Sequence, residues 1–368
     1  MSHHLPHGPQ DGPGPVRGPA VVVRLAAIGA VVLIAAGGFA YTGGWLSPGR
    51  LSPDRVVDAL EANNGQHPGF RRNHAKGICI AGMFKGNGAG PALSKASVFA
   101  GADVPVIGRL ALAAGRPDVP DASSPVWSMA LRFLPVAGDE WRTGMNNIPV
   151  FPVRDAEEFA GFLVAMRPDP ATGKPDPAAV QAFLAAHPAT AAALQTIKAA
   201  PPAASFATAT YNGLNAFRFV NAEGEAAAVR WSMVPEQAGT EQPALSGPNY
   251  LFDELIGAVR QGPLHWQLVV TVAGPADVTA DPTVAWPADR QRVAVGTLTI
   301  DTVEGEDTGS CRDVTFDPLV LPAGIEPADD PFPAARSAAY AEGLRRRDGE
   351  VKQPSAVQVS AVRAGEGA

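Results

Sequence analysis

A chain of 368 residues with 46% hydrophobic content is long enough to bury a large core, and no solenoid-length period recurs along it, so one sizeable domain is expected. The balance is mildly acidic, 36 Asp and Glu against 29 Lys and Arg, with no basic block beyond Arg345, Arg346 and Arg347, which argues against nucleic acid as a partner. Two cysteines alone, Cys79 and Cys311, exclude zinc sites made of paired CxxC motifs and covalent cofactor attachment through CxxCH.

Residues 1–19 are rich in Pro, Gly and His, have no apolar period and read as a disordered tail, with His3, His4 and His7 as a loose metal binder at most. Residues 20–45 follow as a transmembrane anchor or signal segment. Its uncharged run from Leu25 to Trp45 is long enough, at helical rise, to cross a bilayer's hydrocarbon. Arg17 and Arg24 on its N-terminal side keep that end cytoplasmic and place everything after it outside the cytoplasm. Cleavage after the small residues Gly38 to Ala40 is the competing reading, and a buried helix of a soluble domain is the third.

Residues 46–350 carry the domain and 351–368 a C-terminal tail. Ser52-Pro53-Asp54 ahead of VVDAL reads as a capped helix start. Strand character appears in GICIAGMF, VPVIGRLAL, SMALRF and IPVFPV, and later in FRFVN, AAVRWSMV, WQLVVTVAG, VAVGTLTIDTV and CRDVTF. Between the two groups, Asp155 with Glu158 caps a helix, Asp176 opens an alanine-rich helical stretch to about Ala200, and FDELIGAVRQG supplies a further amphipathic segment. Turn-forming pieces such as NAEGE between the late strands favour antiparallel neighbours, and closure into a barrel removes exposed edges. The class is α+β. Gly86 to Gly90 follows a strand but lacks a helix pattern and a downstream acid, so it is an ordinary glycine loop and no dinucleotide site is expected. The two cysteines either pair in an oxidising compartment or fill strand positions as small apolar side chains.

Three separated motifs stand in one order: Arg71-Arg72-Asn73-His74-Ala75-Lys76-Gly77, then Asn146-Asn147-Ile148-Pro149-Val150-Phe151, then Arg336-Ser337-Ala338-Ala339-Tyr340. Phe316-Asp317-Pro318, Pro322 to Glu326 and Val293 to Leu298 lie between the second and third. Together they resemble the catalase family, whose RxxHAKG, NNxPVF and RxxxY motifs they match from about residue 65 to 350. The resemblance implies an antiparallel β-barrel of catalase type with surrounding helices, after one N-terminal transmembrane helix. It also implies noncovalent haem b, with hydrogen peroxide or an alkyl hydroperoxide as oxidant and a small reductant as donor. The chain stops soon after the tyrosine motif, which points to the catalase-related peroxidase branch.

On that resemblance Tyr340 is the axial iron ligand, His74 the distal acid-base residue and Asn146 the amide that orients the peroxide. Phe151 and Phe159 line the haem pocket, and Arg71, Arg109 and Arg347 meet the haem propionates. The chemistry suits these residue types. Arg336 and Tyr340 stand four apart on one helix face, where a guanidinium offsets phenolate charge. A tyrosinate ligand favours ferric iron over oxygen carriage, and planar guanidinium pairs with carboxylates in two-pronged fashion. Asp330 matches a family acid that supports Arg336.

Three departures bear on activity. Ala111 stands where the family carries a serine that holds the distal histidine, which predicts a less firmly oriented His74. Asn73 replaces a valine, and Asn215 replaces a proximal-side histidine, so a wetter or wider distal pocket is expected. Peroxidase activity above catalase activity follows from these departures, with a small true catalase or a non-catalytic haem-binding barrel as the alternatives.

Overall fold

The computed structural model describes residues 19–42, 51–237 and 247–359, and its packing divides the chain into two units, residues 1–52 and 53–368. The described residues of the first unit include one helix, α1 (Pro19–Thr42). Its 24 residues rise about 36 Å, its Val21–Tyr41 stretch is apolar enough to cross a membrane, and side chains such as Leu33 and Ile34 are exposed. Arg24 lies inside this helix rather than before it. The tail with His3, His4 and His7, the flanking Arg17 and the end of the run at Trp45 lie outside the described residues.

The second unit opens with α2 (Pro53–Asn64). Ten strands follow in chain order: β1 (Gly77–Gly86), β2 (Asp103–Leu112), β3 (Trp127–Phe133), β4 (Trp141–Asn146), β5 (Tyr211–Asn212), β6 (Phe217–Val220), β7 (Ala226–Pro235), β8 (Leu264–Val272), β9 (Arg292–Glu304) and β10 (Ile325–Pro327). Eight of them close a ring in the order β7-β5-β4-β3-β2-β1-β9-β8, with β8 pairing back onto β7; every pairing is antiparallel, and β6 and β10 extend the sheet beside β7. The catalase-type barrel read from the sequence is therefore present.

Strand periodicity sorts the side chains. On β3, Trp127, Met129, Leu131 and Phe133 enter the main core while Ser128, Ala130 and Arg132 point the other way. Phe133 stacks on Trp141 at 4.9 Å between ring centroids, and Trp141 meets Trp231 edge-on at 5.1 Å. The outward row is left for polar chemistry.

Helices α3 (Ala156–Ala165), α4 (Pro177–Ala186) and α5 (Pro188–Ala199) fill the link between β4 and β5, α6 (Tyr250–Gln261) precedes β8, and α7 (Phe332–Asp348) ends the fold. Asp155 caps α3 by accepting the Glu158 amide at 2.9 Å, and Glu158 accepts the Arg154 amide at 3.0 Å. The alanine-rich stretch breaks at His187-Pro188, because proline cannot continue a helix but can start one. Arg346 ties α7 to α2 through Asp58 at 2.8 Å and Glu61 at 3.1 Å.

Two expected strands are absent. Residues 148–153 run irregularly, since Pro149 and Pro152 cannot donate to a ladder and the Phe151 amide goes to the Pro282 carbonyl at 3.0 Å. Residues 311–313 form a turn and 314–316 run irregularly, the segment being bonded to β1 through Cys311 and Cys79. That bond also decides between the two readings of the cysteines. Past residue 350 the chain stays on the domain: Val357 is buried in the main core, so the packing runs beyond the boundary expected there.

Candidate active site

Strand register lays out the site on the barrel's outer face. Ala111, Ser128, Asn146 and Asn212 face one another as Cα partners across β2, β3, β4 and β5, and one step along the pleat lies a second row of Arg109, Ala130 and Gly144. A Cβ on Gly144 would sit 3.0 Å from the Arg336 guanidinium of α7, so a side chain there would crowd that arginine. A cavity of about 1330 Å³, its open mouth included, lies over these rows. Its walls include Arg71, His74, Arg109, Asn146, Phe151, Phe159, Arg336, Tyr340 and Arg347, so every residue assigned to the site from the sequence lines the same space.

His74 follows the turn before β1 with a left-handed backbone, φ 56°, a strained conformation for a residue with a Cβ. Asn73 steadies it, its Oδ1 accepting the His74 amide at 3.0 Å. Although Asn73 lines the cavity, its acceptor is turned back onto the backbone. The His74 ring is not left loose as Ala111 predicts. Its Nδ1 lies 3.1 Å from the hydroxyl of Ser128, the residue paired with Ala111 on the next strand.

Burial, then the positive charges of Arg109, Arg336 and Arg71, push the imidazole down to about 3, opposed by the Leu112 carbonyl, which accepts from the ring. His74 therefore stays a neutral base throughout the physiological range. An ordinary imidazole would lose its base form as pH falls through about 6.5; the reaction with peroxide is expected to hold its rate from pH 8 to 5, and a stopped-flow profile falling with a midpoint near 6.5 would contradict this. The same shift costs stability in acid, because the unfolded chain takes up this proton below about 6.5 and the folded one only near 3.

Asn146 ends β4, and its side chain makes no hydrogen bond among the described residues, leaving the amide free at the cavity wall. Phe151 packs on Phe332 at 4.4 Å and on Phe159 at 6.3 Å, forming an aromatic wall. From α7, Arg336 Nη2 reaches the Tyr340 oxygen at 3.2 Å, as helical spacing predicts. Asp330 does not touch Arg336: Asn215 stands between them, donating to Asp330 at 2.8 Å and accepting from Arg336 Nη1 at 2.9 Å. Burial raises the Asp330 carboxyl.

Arg71, Arg109 and Arg347 gather at one end. Arg109 makes a two-pronged pair with Glu306 at 2.7 and 2.9 Å, while Arg71 Nη2 donates to the carbonyls of Cys311, Arg312 and Val314 at 3.2, 3.2 and 3.0 Å. Burial and the charges of Arg109 and Arg347 bring Arg71 down to about 9, and burial followed by Arg109 lowers Arg347. Burial pushes the Glu306 carboxyl up, but Arg109 outweighs it and holds the group below its usual range. Buried Arg71 Nε has no partner among the described residues. Among carboxylates Glu306 alone is hydrogen-bonded within this cluster, Asp313 and Asp348 acting on Arg347 through charge, and the unused Arg71 Nε leaves a donor for an anion at this end.

Sequence reasoning missed Ser128 and Glu306. Glu306 sits in an acidic, turn-like run with nothing to distinguish it, and Ser128 gains its meaning only from strand register.

The family model described as Catalase matches residues 51–362. A catalase-related peroxidase of Synechococcus elongatus is 37% identical over 331 residues, 89% of this chain and 96% of that protein. One of Mycolicibacterium paratuberculosis is 34% identical over 306 residues, 82% of this chain and 96% of that protein. Two solved catalases share the fold: a bacterial one at TM-score 0.64 and 22% identity, and a fungal one at 0.66 and 19%. They match 83% and 82% of this chain, which spans 64% and 66% of their own lengths. With motifs, barrel and cavity residues in agreement with a match over most of its length, the chain belongs to the catalase family.

Proposed function

We propose that this protein is a haem-dependent peroxidase that reduces hydrogen peroxide or organic hydroperoxides with a small electron donor. The observation that carries the reading is the meeting, in one cavity, of a tyrosine paired with arginine, a neutral histidine with a free amide near it, and an arginine cluster with unused donors.

These residues fit haem b. Tyr340 would hold the iron, with Arg336 offsetting the phenolate charge. Arg71 and Arg347 would take the propionates, Arg109 being shared with Glu306, and Phe151 and Phe159 would pack on the macrocycle. When bound, haem supplies the redox chemistry that carries oxidising equivalents from peroxide to donor. The chain's part is proton handling. His74 would take the proton from the peroxide's inner oxygen and return it to the outer one, so that the O–O bond breaks heterolytically, its electron pair going with the outer oxygen, which leaves as water from hydrogen peroxide or as an alcohol from an organic hydroperoxide. The Asn146 amide orients the peroxide and stabilises the charge that develops on it.

The apolar α1 and the Cys79–Cys311 bond support a membrane-anchored protein with its domain in the periplasm or outside the cell, because disulfides persist in oxidising compartments. The test is an absorption spectrum of the haem-loaded protein beside Tyr340→Phe. The wild type is expected to show a high-spin ferric tyrosinate spectrum that the substitution abolishes. Haem that fails to bind, or binds identically without the hydroxyl, would leave the barrel without this function.

A further inference from the structure

The Ser128 hydroxyl and the Ala111 methyl are Cα partners on adjacent strands and lie on the same outward row. Ser128 Oγ is 3.1 Å from His74 Nδ1 and 3.4 Å from the Ala111 carbonyl oxygen. A serine hydroxyl has one proton and two lone pairs. With the Ala111 carbonyl taking that proton, a lone pair is left to accept the Nδ1 proton of His74. The Nδ1–H tautomer then leaves the lone pair on Nε2, in a ring that lines the cavity wall.

We infer that Ser128 is the positioning residue that sets the tautomer of His74, and that it supplies across the strand pair the hydroxyl that Ala111 lacks. Two features argue against a merely space-filling serine. Ser128 is buried, and among the described residues its hydroxyl meets only His74 and the Ala111 carbonyl. Its strand neighbours Trp127 and Met129 belong to the core, so the backbone cannot rotate it away. The requirement for a held tautomer is also acute here. His74 has a strained left-handed backbone, and the positive charges of Arg109, Arg336 and Arg71 around it give no anion to hold the ring. The Leu112 carbonyl is the one other backbone group acting on the imidazole. Nδ1 protonated and Nε2 free is the arrangement that a proton acceptor facing the cavity needs.

This inference rests on the reading of His74 as the distal base, and the experiment separates the two. Haem-loaded full-length wild type, Ser128→Ala, His74→Ala and the double variant Ala111→Ser with Ser128→Ala are compared in two measurements. One is the rate of reaction with hydrogen peroxide. The other is the association rate of hydrogen cyanide, a ligand that must give up a proton as it binds and so reports the base without turnover. General acid-base groups supply about 10²–10⁴-fold, and losing the tautomer-setting bond is expected to lower both rates about tenfold in Ser128→Ala, with haem retention and the Soret band unchanged. The double variant, which returns a hydroxyl to the facing position, is expected to regain most of the loss. Ser128→Ala rates within twofold of wild type, alongside a His74→Ala variant that has lost both, overturn this inference alone. Rates that fall only in step with lost haem and are not regained by the double variant overturn it as well. A His74→Ala variant with unchanged rates removes the distal-base reading on which it rests.

Discussion

A His74→Ala variant is expected to keep its haem and to lose about 10²–10⁴-fold of its peroxide turnover, the range that a positioned acid-base group contributes. The retention follows from the proposed division of labour in the cavity, in which Tyr340, Arg71, Arg109, Arg347 and the phenylalanine wall would hold the group and His74 would not. The loss follows from the surroundings of His74. Burial and three arginines keep it neutral, and among the described residues that line the cavity there is no other His, Asp or Glu. Stopped-flow reaction with hydrogen peroxide, with the Soret band recorded for each sample, makes the comparison. Oxygen evolution measured beside donor oxidation in the wild type is expected to be the slower process. Turnover within threefold of wild type in the variant would remove His74 as the base, turnover no faster than free haem in both proteins would favour a haem-binding barrel without catalysis, and oxygen evolution far ahead of donor oxidation would favour a small true catalase.

Breaking the Cys79–Cys311 bond is expected to cost about 2–5 kcal/mol, because it closes a long loop in the unfolded chain. The separation of 232 residues joins β1 to the turn after β9. For a domain of this size that corresponds to a fall in Tm of about 3–8 °C. The effect should reach the site, since the carbonyls of Cys311, Arg312 and Val314 hold Arg71, and Glu306 on the same segment holds Arg109. Scanning calorimetry of the haem-loaded Cys79→Ser, Cys311→Ser double variant, with haem titration at 25 °C, reads both. An unchanged Tm would mean that the segment is held by its hydrogen bonds alone. A lower Tm with unchanged haem affinity would mean that the arginine end is built independently of the bond.

What the sequence determined by itself is the part of this protein written in short-range spacing. Four residues on a helix bring Arg336 to Tyr340, and seven bring Arg347 to the same cavity, because helical geometry repeats within the span of the motif. Alternation along β3 separates Met129 and Leu131 from Ser128, and the Asp155 and Glu158 pair caps α3 where it was expected. The motif set carried the family and every residue assigned to the cavity wall.

The tertiary structure alone decided what depends on which distant strands become neighbours. β4 ends at Asn146 yet escaped notice, because its WRTGMN alternation is interrupted by glycine, while IPVFPV looked strand-like until its prolines met the requirement for ladder donors. Asn215 slipped between Asp330 and Arg336 from 121 residues away, and the two cysteines paired across 232. Register set Ser128 opposite Ala111, so a hydroxyl missing from one strand is supplied by the next. A side chain's direction follows from its own strand, but its partner follows from pairing, and pairing is settled by closing the whole barrel rather than by any local window of sequence.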